Sequence, residues 1–268
     1  MPRTQDAPFA AAESLLAFWA QAGVDTCLED APVDRTVRPA KPERPAKPAV
    51  VGRAEPQVSP DVASAMGQAR ELAAAAGDLE ALEQAIAGFD GCALKFQGAR
   101  RHVFARGNPE GPLVVIGEGP GAEEDQQGKP FVGRAGQLLD RMLAAANLTD
   151  RAFITNTVFW RPPGNSNPSH ADQAVCSPFV ERALELLRPR LILLLGGASA
   201  KSLLKREEGI LSLRGRWFEW RSSDENLVIP ALPTLHPAFL LRQPAAKKKA
   251  WQDLLTLTER LDRPERPT

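Results

Sequence analysis

The stretch from residue 113 to residue 139, LVVIGEGPGAEEDQQGKPFVGRAGQLL, constrains the fold of this chain more than any other. It begins with an apolar run, continues through closely spaced glycines around Pro120, and passes an acidic cluster before an amphipathic segment from Gly133. This order predicts a strand, a tight loop, an acidic arm and a helix. Glycines allow sharp turns and close backbone approach to a flat ligand. Open α/β sheets bind ligands beyond the carboxyl ends of their strands, so we place the candidate site at this loop.

The glycine loop does not match the common phosphate-binding patterns. It contains no GxGxxG, and no Gly-Lys-Ser/Thr closes it; taken alone, it would be an ordinary α/β turn. A second strand end at 233–242, PTLHPAFLLR, carries a lone histidine, a proline and then apolar residues. The alternation of strands and helices predicts a three-layer α/β/α sandwich with a mostly parallel central sheet of about four strands. Both loops would then meet at one edge of the sheet.

Together, the two loops resemble the motifs of the uracil-DNA glycosylase superfamily, and most closely its bacterial and archaeal family 4. The first motif is similar to GEGPGAEEDQQGKPFVGRAGQLL here, and the second to HPAFLLR at 236–242. Between them, ITNTVFWRPPGNSNP at 154–168 is similar to the strand that reads uracil and its proline-rich loop. The resemblance covers residues 89–260. It implies a monofunctional glycosylase that hydrolyses the N-glycosidic bond of uracil in DNA, leaves an abasic site and so initiates base excision repair.

The resemblance implies that three side chains surround the uracil. The base would stack on Phe131 and pair with the amide of Asn156, and His236 would donate a hydrogen bond to O2 as negative charge collects on the departing base. An amide offers one acceptor and one donor, which match N3–H and O4 of uracil and mismatch cytosine. Outside the motif, these residues would be an ordinary core, turn and loop residue.

Two glutamates and a glycine complete the implied pocket. Gly119 stands where family 1 has an aspartate that activates water, and it has no side chain. By resemblance to family 4, Glu118 would form the pocket wall and Glu124 would stabilise water or a cation. A dissociative transition state reduces the need for a strong base, so replacing either glutamate is expected to cost only about one to two orders of magnitude in rate.

DNA binding must come from local clusters, because the 33 basic and 33 acidic residues cancel. The enzyme must also flip its target nucleotide out of the duplex and fill the gap. Leu240 and Leu241 are suited to wedge into the base stack, and Arg242 to hold a phosphate or the opposite strand. Lys247 begins a lysine triplet that predicts either a solvated helix start or a phosphate contact.

The chain departs from the iron–sulfur pattern of family 4, whose members usually hold a cluster on four cysteines. Only Cys92 and Cys176 remain, and Phe89 and Trp160 stand at the other two positions. Because a four-iron cluster needs four ligands, normally thiolates, we predict no cofactor or metal and apolar side chains in the vacated volume. The alternative is a 4Fe-4S cluster completed by Cys27 or by a histidine such as His102 or His170.

The segments before and after the glycosylase-like part at 89–262 differ in composition. Residues 1–30 predict a short helix, and 61–88 predict a helical hairpin. The segment 31–60 contains seven prolines and an excess of basic residues, which is typical of an extended linker; a basic arm on DNA phosphates is the alternative. Residues 263–268 form a tail.

Composition agrees with a soluble enzyme and decides little else. Three widely spaced cysteines argue against a disulfide framework, and no apolar run reaches the ~20 residues of a membrane span. We expect a cytoplasmic monomer that binds uracil-containing DNA, single- or double-stranded, and whose N-terminal arm could bind a repair or polymerase partner. A non-catalytic DNA-binding accessory protein and a glycosylase for other deaminated bases, hypoxanthine or xanthine, remain open.

Overall fold

Continuous apolar runs form the central strands of the sheet. Every residue is buried in Leu113–Gly117, Ala152–Asn156 and Leu191–Leu195. Parallel strands covered by helices on both faces read as such runs because neither face meets water. These strands belong to a computed structural model of the protein, which describes residues 60–263.

The six strands form one mixed sheet. They are β1 (Ala105–Gly107), β2 (Leu113–Gly117), β3 (Ala152–Asn156), β4 (Leu191–Leu195), β5 (Phe218–Arg221) and β6 (Val228–Thr234). Their order across the sheet is β1-β3-β2-β4-β6-β5, in which the four central strands are parallel and the two outer strands antiparallel. The predicted α/β sandwich with a mostly parallel sheet is confirmed. Two antiparallel edge strands raise the count to six.

Helices cover both faces of the sheet. They are α1 (Pro60–Ala75), α2 (Leu79–Gly88), α3 (Ala122–Gln127), α4 (Arg134–Ala145), α5 (His170–Leu187), α6 (Gly196–Leu204), α7 (Ile210–Leu213), α8 (Pro237–Arg242) and α9 (Lys247–Asp262). Asp78 and Ser169 cap α2 and α5 through side-chain oxygens that accept backbone N–H groups. Among the described residues, no helix is both long and apolar enough to cross a membrane.

The hydrophobic core has two parts, one on each face of the sheet. On one face, α1, α2 and α5 pack around large aromatic side chains such as Phe89, Trp160 and Phe179. On the other face, leucines of α4 and α9 pack on β2, β3 and β4. The helical hairpin expected at 61–88 corresponds to α1 and α2, and it lies in the same compact unit as the sheet. The predicted helix in 1–30, the linker and the tail fall outside the described residues, apart from Pro60 and Arg263.

Asp253 of α9 ties this helix to the end of β6, two residues before His236. Its side chain is 1 % exposed. It accepts hydrogen bonds from Thr234 Oγ1 at 2.6 Å and from Arg214 Nε at 3.0 Å. Arg214 also donates to the carbonyl of Lys249 at 2.7 Å. The buried pair therefore connects α9, the segment before β5 and the strand that leads into the second motif.

We expect Asp253→Ala to lower the free energy of unfolding by about 3–5 kcal/mol, because it leaves the Arg214 guanidinium without its buried partner. Urea unfolding followed by tryptophan fluorescence measures this loss. The matched control is Asp262→Ala, whose ion pair with Arg151 lies at the surface, with the carboxylate side chain 60 % exposed. Its expected loss is only about 0–1 kcal/mol, and equal losses in the two variants would contradict the prediction.

Candidate active site

A groove of about 380 Å³ opens beyond the carboxyl ends of the parallel strands, where an α/β sheet binds its ligands. Three segments form its walls: the loop and helix after β2, the proline-rich loop after β3, and the segment after β6. The lining residues include Glu118, Gly119, Glu124, Phe131, Pro162 and His236. Both loops that the sequence singled out therefore meet in one cavity.

Phe131, Asn156 and His236 lie close together in the structure. The ring centres of Phe131 and His236 are 5.8 Å apart. Asn156, at the end of β3, is 1 % exposed and pairs in register with Gly117 of β2. A Cβ atom on Gly117 would lie 2.4 Å from Phe131 Cζ and 2.5 Å from Asn156 Oδ1. Only glycine therefore leaves room at position 117 for both side chains.

Two buried oxygen atoms at this site have no hydrogen-bond partner in the described residues. They are Asn156 Oδ1 and Glu118 Oε1. Native proteins pair almost all of their buried polar atoms, and an unpaired one needs an explanation. Burial also raises the pKa of Glu118. Two unsatisfied acceptors beside an open groove indicate a site for a ligand that brings hydrogen-bond donors.

The backbone of Phe131 adopts a conformation that bulky residues rarely occupy, with φ at 55°. Arg106 holds it by donating to the carbonyls of Pro130 at 2.8 Å and Phe131 at 3.1 Å. Gly136 permits the close approach, because a Cβ atom there would lie 1.8 Å from the Phe131 carbonyl oxygen. No sequence pattern indicates the role of Arg106, because β1 has no apolar periodicity and Arg106 and Phe131 are 25 positions apart in the chain.

The carboxylate of Glu124 connects the two halves of the first motif. Its Oε2 accepts from Gly121 N at 3.1 Å, and its Oε1 accepts from Val132 N at 3.0 Å and Gly133 N at 2.9 Å. Three backbone bonds hold the carboxylate in place at the wall of the groove. Glu118 is held through its backbone instead, because Thr157 Oγ1 donates to its carbonyl at 2.6 Å.

His236 caps α8 and presents a defined face to the groove. Its Nδ1 accepts a hydrogen bond from Ala238 N at 3.1 Å, so in the neutral ring the proton lies on Nε2, which is a donor. Burial, and then the positive charge of Arg242, lower the pKa of His236 to about 4, although Glu124 opposes the shift. The imidazole is therefore neutral at physiological pH.

This pKa predicts how His236 responds to acid. The folded value lies below the ordinary 6.5, so we expect its NMR signals to remain those of the neutral Nε2–H form from pH 8 down to pH 5. Because the unfolded chain takes up the proton first, stability contributed by the neutral ring is lost as the pH falls from 6.5 towards 4. His102→Gln and His170→Gln variants assign the signals, and titration of His236 near pH 6.5 would refute the assignment.

The residues expected to contact DNA are not equally available. Leu241 is 38 % exposed, and Arg242 and Lys247 are exposed. Leu240 is only 1 % exposed and packs with Leu138 and Met142 of α4. The expectation that Leu240 wedges into the base stack therefore needs correction, because the short helix α8 turns this side chain towards the core and leaves Leu241 outside.

Comparison with known proteins identifies the family of this fold and groove. The profile of the Uracil DNA glycosylase superfamily matches residues 104–255, more than half of the chain. The chain belongs to the uracil-DNA glycosylase superfamily. The matched range contains both motifs, the proline-rich loop and every side chain that lines the groove.

Relatives named type-4 uracil-DNA glycosylases place the chain in family 4 of the superfamily. The type-4 uracil-DNA glycosylase of Sulfurisphaera tokodaii is 32 % identical over 196 residues, which are 71 % of this chain and 88 % of the relative. That of Saccharolobus solfataricus is 37 % identical over 165 residues, covering 59 % and 76 % of the two chains. A third, from Thermotoga maritima, is 36 % identical over 142 residues, covering 52 % and 71 %.

The positions that would hold an iron–sulfur cluster do not fit one in this chain. Cys92 and Cys176 are buried with their sulfur atoms 3.9 Å apart. Phe89 and Trp160 occupy the other two positions and are 0 % and 2 % exposed. The Phe89 ring packs edge-on against Phe179 with centres 5.2 Å apart. Within residues 60–263, no group of three or more His, Cys, Asp or Glu side chains could hold a metal ion.

Proposed function

We propose that this protein hydrolyses the N-glycosidic bond of uracil in DNA and leaves an abasic site. One observation supports this most: Asn156 Oδ1 is buried without a partner in the described residues, next to the Phe131 ring, whose centre lies 5.8 Å from that of His236. The N3–H of a flipped uracil would supply the missing donor, while its face would stack on the Phe131 ring. Family membership supports the same activity, because the relatives that are 32 % and 37 % identical to this chain are named type-4 uracil-DNA glycosylases.

The proposed reaction breaks the bond between C1′ and N1, and the bonding electrons leave with the base. Charge then spreads over uracil O2, where His236 Nε2–H donates a hydrogen bond, in the manner of an oxyanion hole. A water oxygen adds to C1′, and its proton is lost to solvent or to a pocket carboxylate. We assign the fixed negative charge of Glu124 to stabilising the cationic sugar, and Glu118 to the wall that positions uracil and water.

We assign the DNA contacts to exposed side chains of α8 and the start of α9. Leu241 is the apolar residue of α8 that can enter the gap left by the flipped nucleotide. Arg242 and Lys247 are exposed near it and are assigned to phosphates. Gly119 lines the pocket, and a side chain there would force a shift, since its Cβ atom would lie 2.9 Å from Val158 Cγ2.

An excision assay tests this proposal. The protein is incubated with oligonucleotides that carry one uracil as U·G, U·A or single strand, and alkali then cleaves abasic sites. We expect cleavage at the uracil and none in matched oligonucleotides with thymine. Binding without cleavage would overturn the proposal in favour of the accessory protein. Parallel substrates with hypoxanthine and xanthine test the alternative of a wider range of deaminated bases.

We also propose that the enzyme works without an iron–sulfur cluster. The support is the donor set: two thiols, with Phe89 and Trp160 packed where two more ligands would be needed. Burial raises the pKa of Cys176, which keeps that thiol protonated. Cys27 lies outside the described residues, and His102 contacts Glu83 at 3.3 Å.

Protein purified without oxygen should contain much less than one iron and one acid-labile sulfide per chain and show no visible absorption from an iron–sulfur cluster. Excision should be unchanged in Cys92→Ala, because no cluster depends on that thiol. A stoichiometric brown cluster that disappears in this variant would contradict the proposal. The monomeric state, the cytoplasmic location and a protein partner for the N-terminal arm remain predictions from the sequence.

A further inference from the structure

Three arginines stack on two aromatic residues at the start of the edge strand β5, Phe218 and the preceding Trp217. The guanidinium carbons of Arg206 and Arg216 lie 5.7 Å and 5.3 Å from the centre of the Phe218 ring. That of Arg260 lies 4.2 Å from the Trp217 ring centre. The ion pairs formed within the described part of the chain include none of these three arginines. Their charges are therefore available to an acidic ligand.

A groove of about 570 Å³ runs around this edge and takes its walls from both faces of the sheet. Side chains from successive residues of β5 alternate between the faces. The residues that line this groove are Leu204, Arg206, Trp217, Phe218, Glu219, Arg221, Val228, Pro230 and Arg260. None of them lines the uracil groove, so both grooves can be occupied at the same time.

The backbone of β5 offers hydrogen-bonding groups along its outer side. Ser222 N donates to Leu227 O at 3.0 Å, which fixes the alternation of bonded and non-bonded pairs along β5 and β6. Glu219 opposite Pro230 and Arg221 opposite Val228 are then the non-bonded pairs, as Pro230 has no N–H. The N–H and C=O groups of Glu219 and Arg221 therefore point away from β6, and no described strand pairs with that side.

The net positive charge of this edge favours an acidic peptide strand as its binding partner. Glu219 is bonded to Arg221 at 2.6 Å, so the remaining guanidinium groups give the edge a net positive charge. Like charges oppose pairing between two copies of the edge. A nucleic acid could satisfy the guanidinium groups, but its phosphates are acceptors and leave the outward carbonyls of Glu219 and Arg221 unpaired. An extended peptide supplies both donors and acceptors.

We propose that β5 binds an extended acidic segment of a partner protein as an additional antiparallel or parallel strand. Backbone hydrogen bonds to Glu219 and Arg221 would give the register. Acidic side chains on the two faces of the added strand would reach Arg206 and Arg260. The interaction does not depend on the uracil chemistry, so the protein could be brought to DNA by a partner while the active-site groove stays open.

Fluorescence anisotropy tests this proposal on the full-length protein with a labelled ten-residue peptide in which pairs of glutamates alternate with pairs of valines, so that both faces of the strand carry glutamate. We expect saturable binding that weakens at least about tenfold in the Arg206→Glu/Arg260→Glu variant. The matched control is the same peptide with every backbone amide N-methylated, which keeps the side chains but cannot donate backbone hydrogen bonds from either edge. Arg70→Glu on α1 reverses one charge outside this groove and should bind the peptide normally. Uracil excision should be unchanged in all of these variants.

Amide hydrogen exchange gives the direct readout. Bound peptide should slow exchange at Glu219 and Arg221, whose N–H groups face the open side of the strand. Equal affinity for the N-methylated peptide, or no peptide binding at all, would overturn the proposal. So would a uracil-free single-stranded oligonucleotide that displaces the peptide and itself loses affinity in the double arginine variant, because the edge would then be a nucleic-acid surface.

Discussion

Replacing Asn156 with alanine should lower the single-turnover rate of uracil excision by about 10³-fold or more, because a site built to pair with the base loses its buried partner. In the structure, Asn156 is 1 % exposed and its Oδ1 atom has no protein partner. We propose that the N3–H group of uracil donates a hydrogen bond to this oxygen. Stability should change much less than activity, since the amide oxygen makes no bond within the described residues that the substitution would break.

A substrate change sharpens the Asn156 experiment. With 3-methyluracil in the oligonucleotide, the base has lost the same hydrogen bond from its own side. Wild-type protein on 3-methyluracil and Asn156→Ala on uracil should both be slow, and combining the two changes should add little further loss. Such non-additivity is the signature of two groups that contact each other. If the combined rate loss equals the product of the two separate losses, Asn156 does not contact N3–H and the pocket assignment fails.

The sequence predicted the parts of this site that depend on local pattern. Apolar runs such as Leu191–Leu195 identify buried parallel strands because no polar face interrupts them. The glycine at 117 signals a close approach, and the structure supplies the reason in the side chains of Phe131 and Asn156. The roles of the pocket residues came from resemblance to a family, since an isolated asparagine or histidine carries no such information.

Long-range packing set the features that the sequence did not predict. Arg106 reaches the Phe131 backbone from an edge strand of three residues, and no local pattern precedes that contact. Leu240 and Leu241 are equally apolar, yet the packing of α8 on α4 buries the first and exposes the second. The acidic arm is the helix α3, and the carboxylate of its Glu124 accepts three hydrogen bonds from backbone N–H groups of the motif.

Replacing His236 with alanine should slow excision about 10²- to 10³-fold, the range seen when an enzyme loses one donor to a developing oxyanion. Binding of uracil-containing DNA should change little, since this hydrogen bond strengthens only as charge reaches O2. His170→Ala, an exposed histidine at the start of α5, is the matched control and should keep full activity.

A change of leaving group tests whether His236 acts as the hydrogen-bond donor to O2. A 5-fluorouracil base carries negative charge more easily than uracil and needs less help from a hydrogen bond to O2. The loss of rate in His236→Ala should therefore be several-fold smaller, about tenfold at most, on 5-fluorouracil than on uracil. His236 would otherwise contribute by holding α8 and the Phe131 ring in place, and both bases would then be slowed equally in the variant. Single-turnover rates on the two oligonucleotides separate these outcomes. A hydrogen bond from the neutral Nε2–H contributes less when the departing base already stabilises its own negative charge.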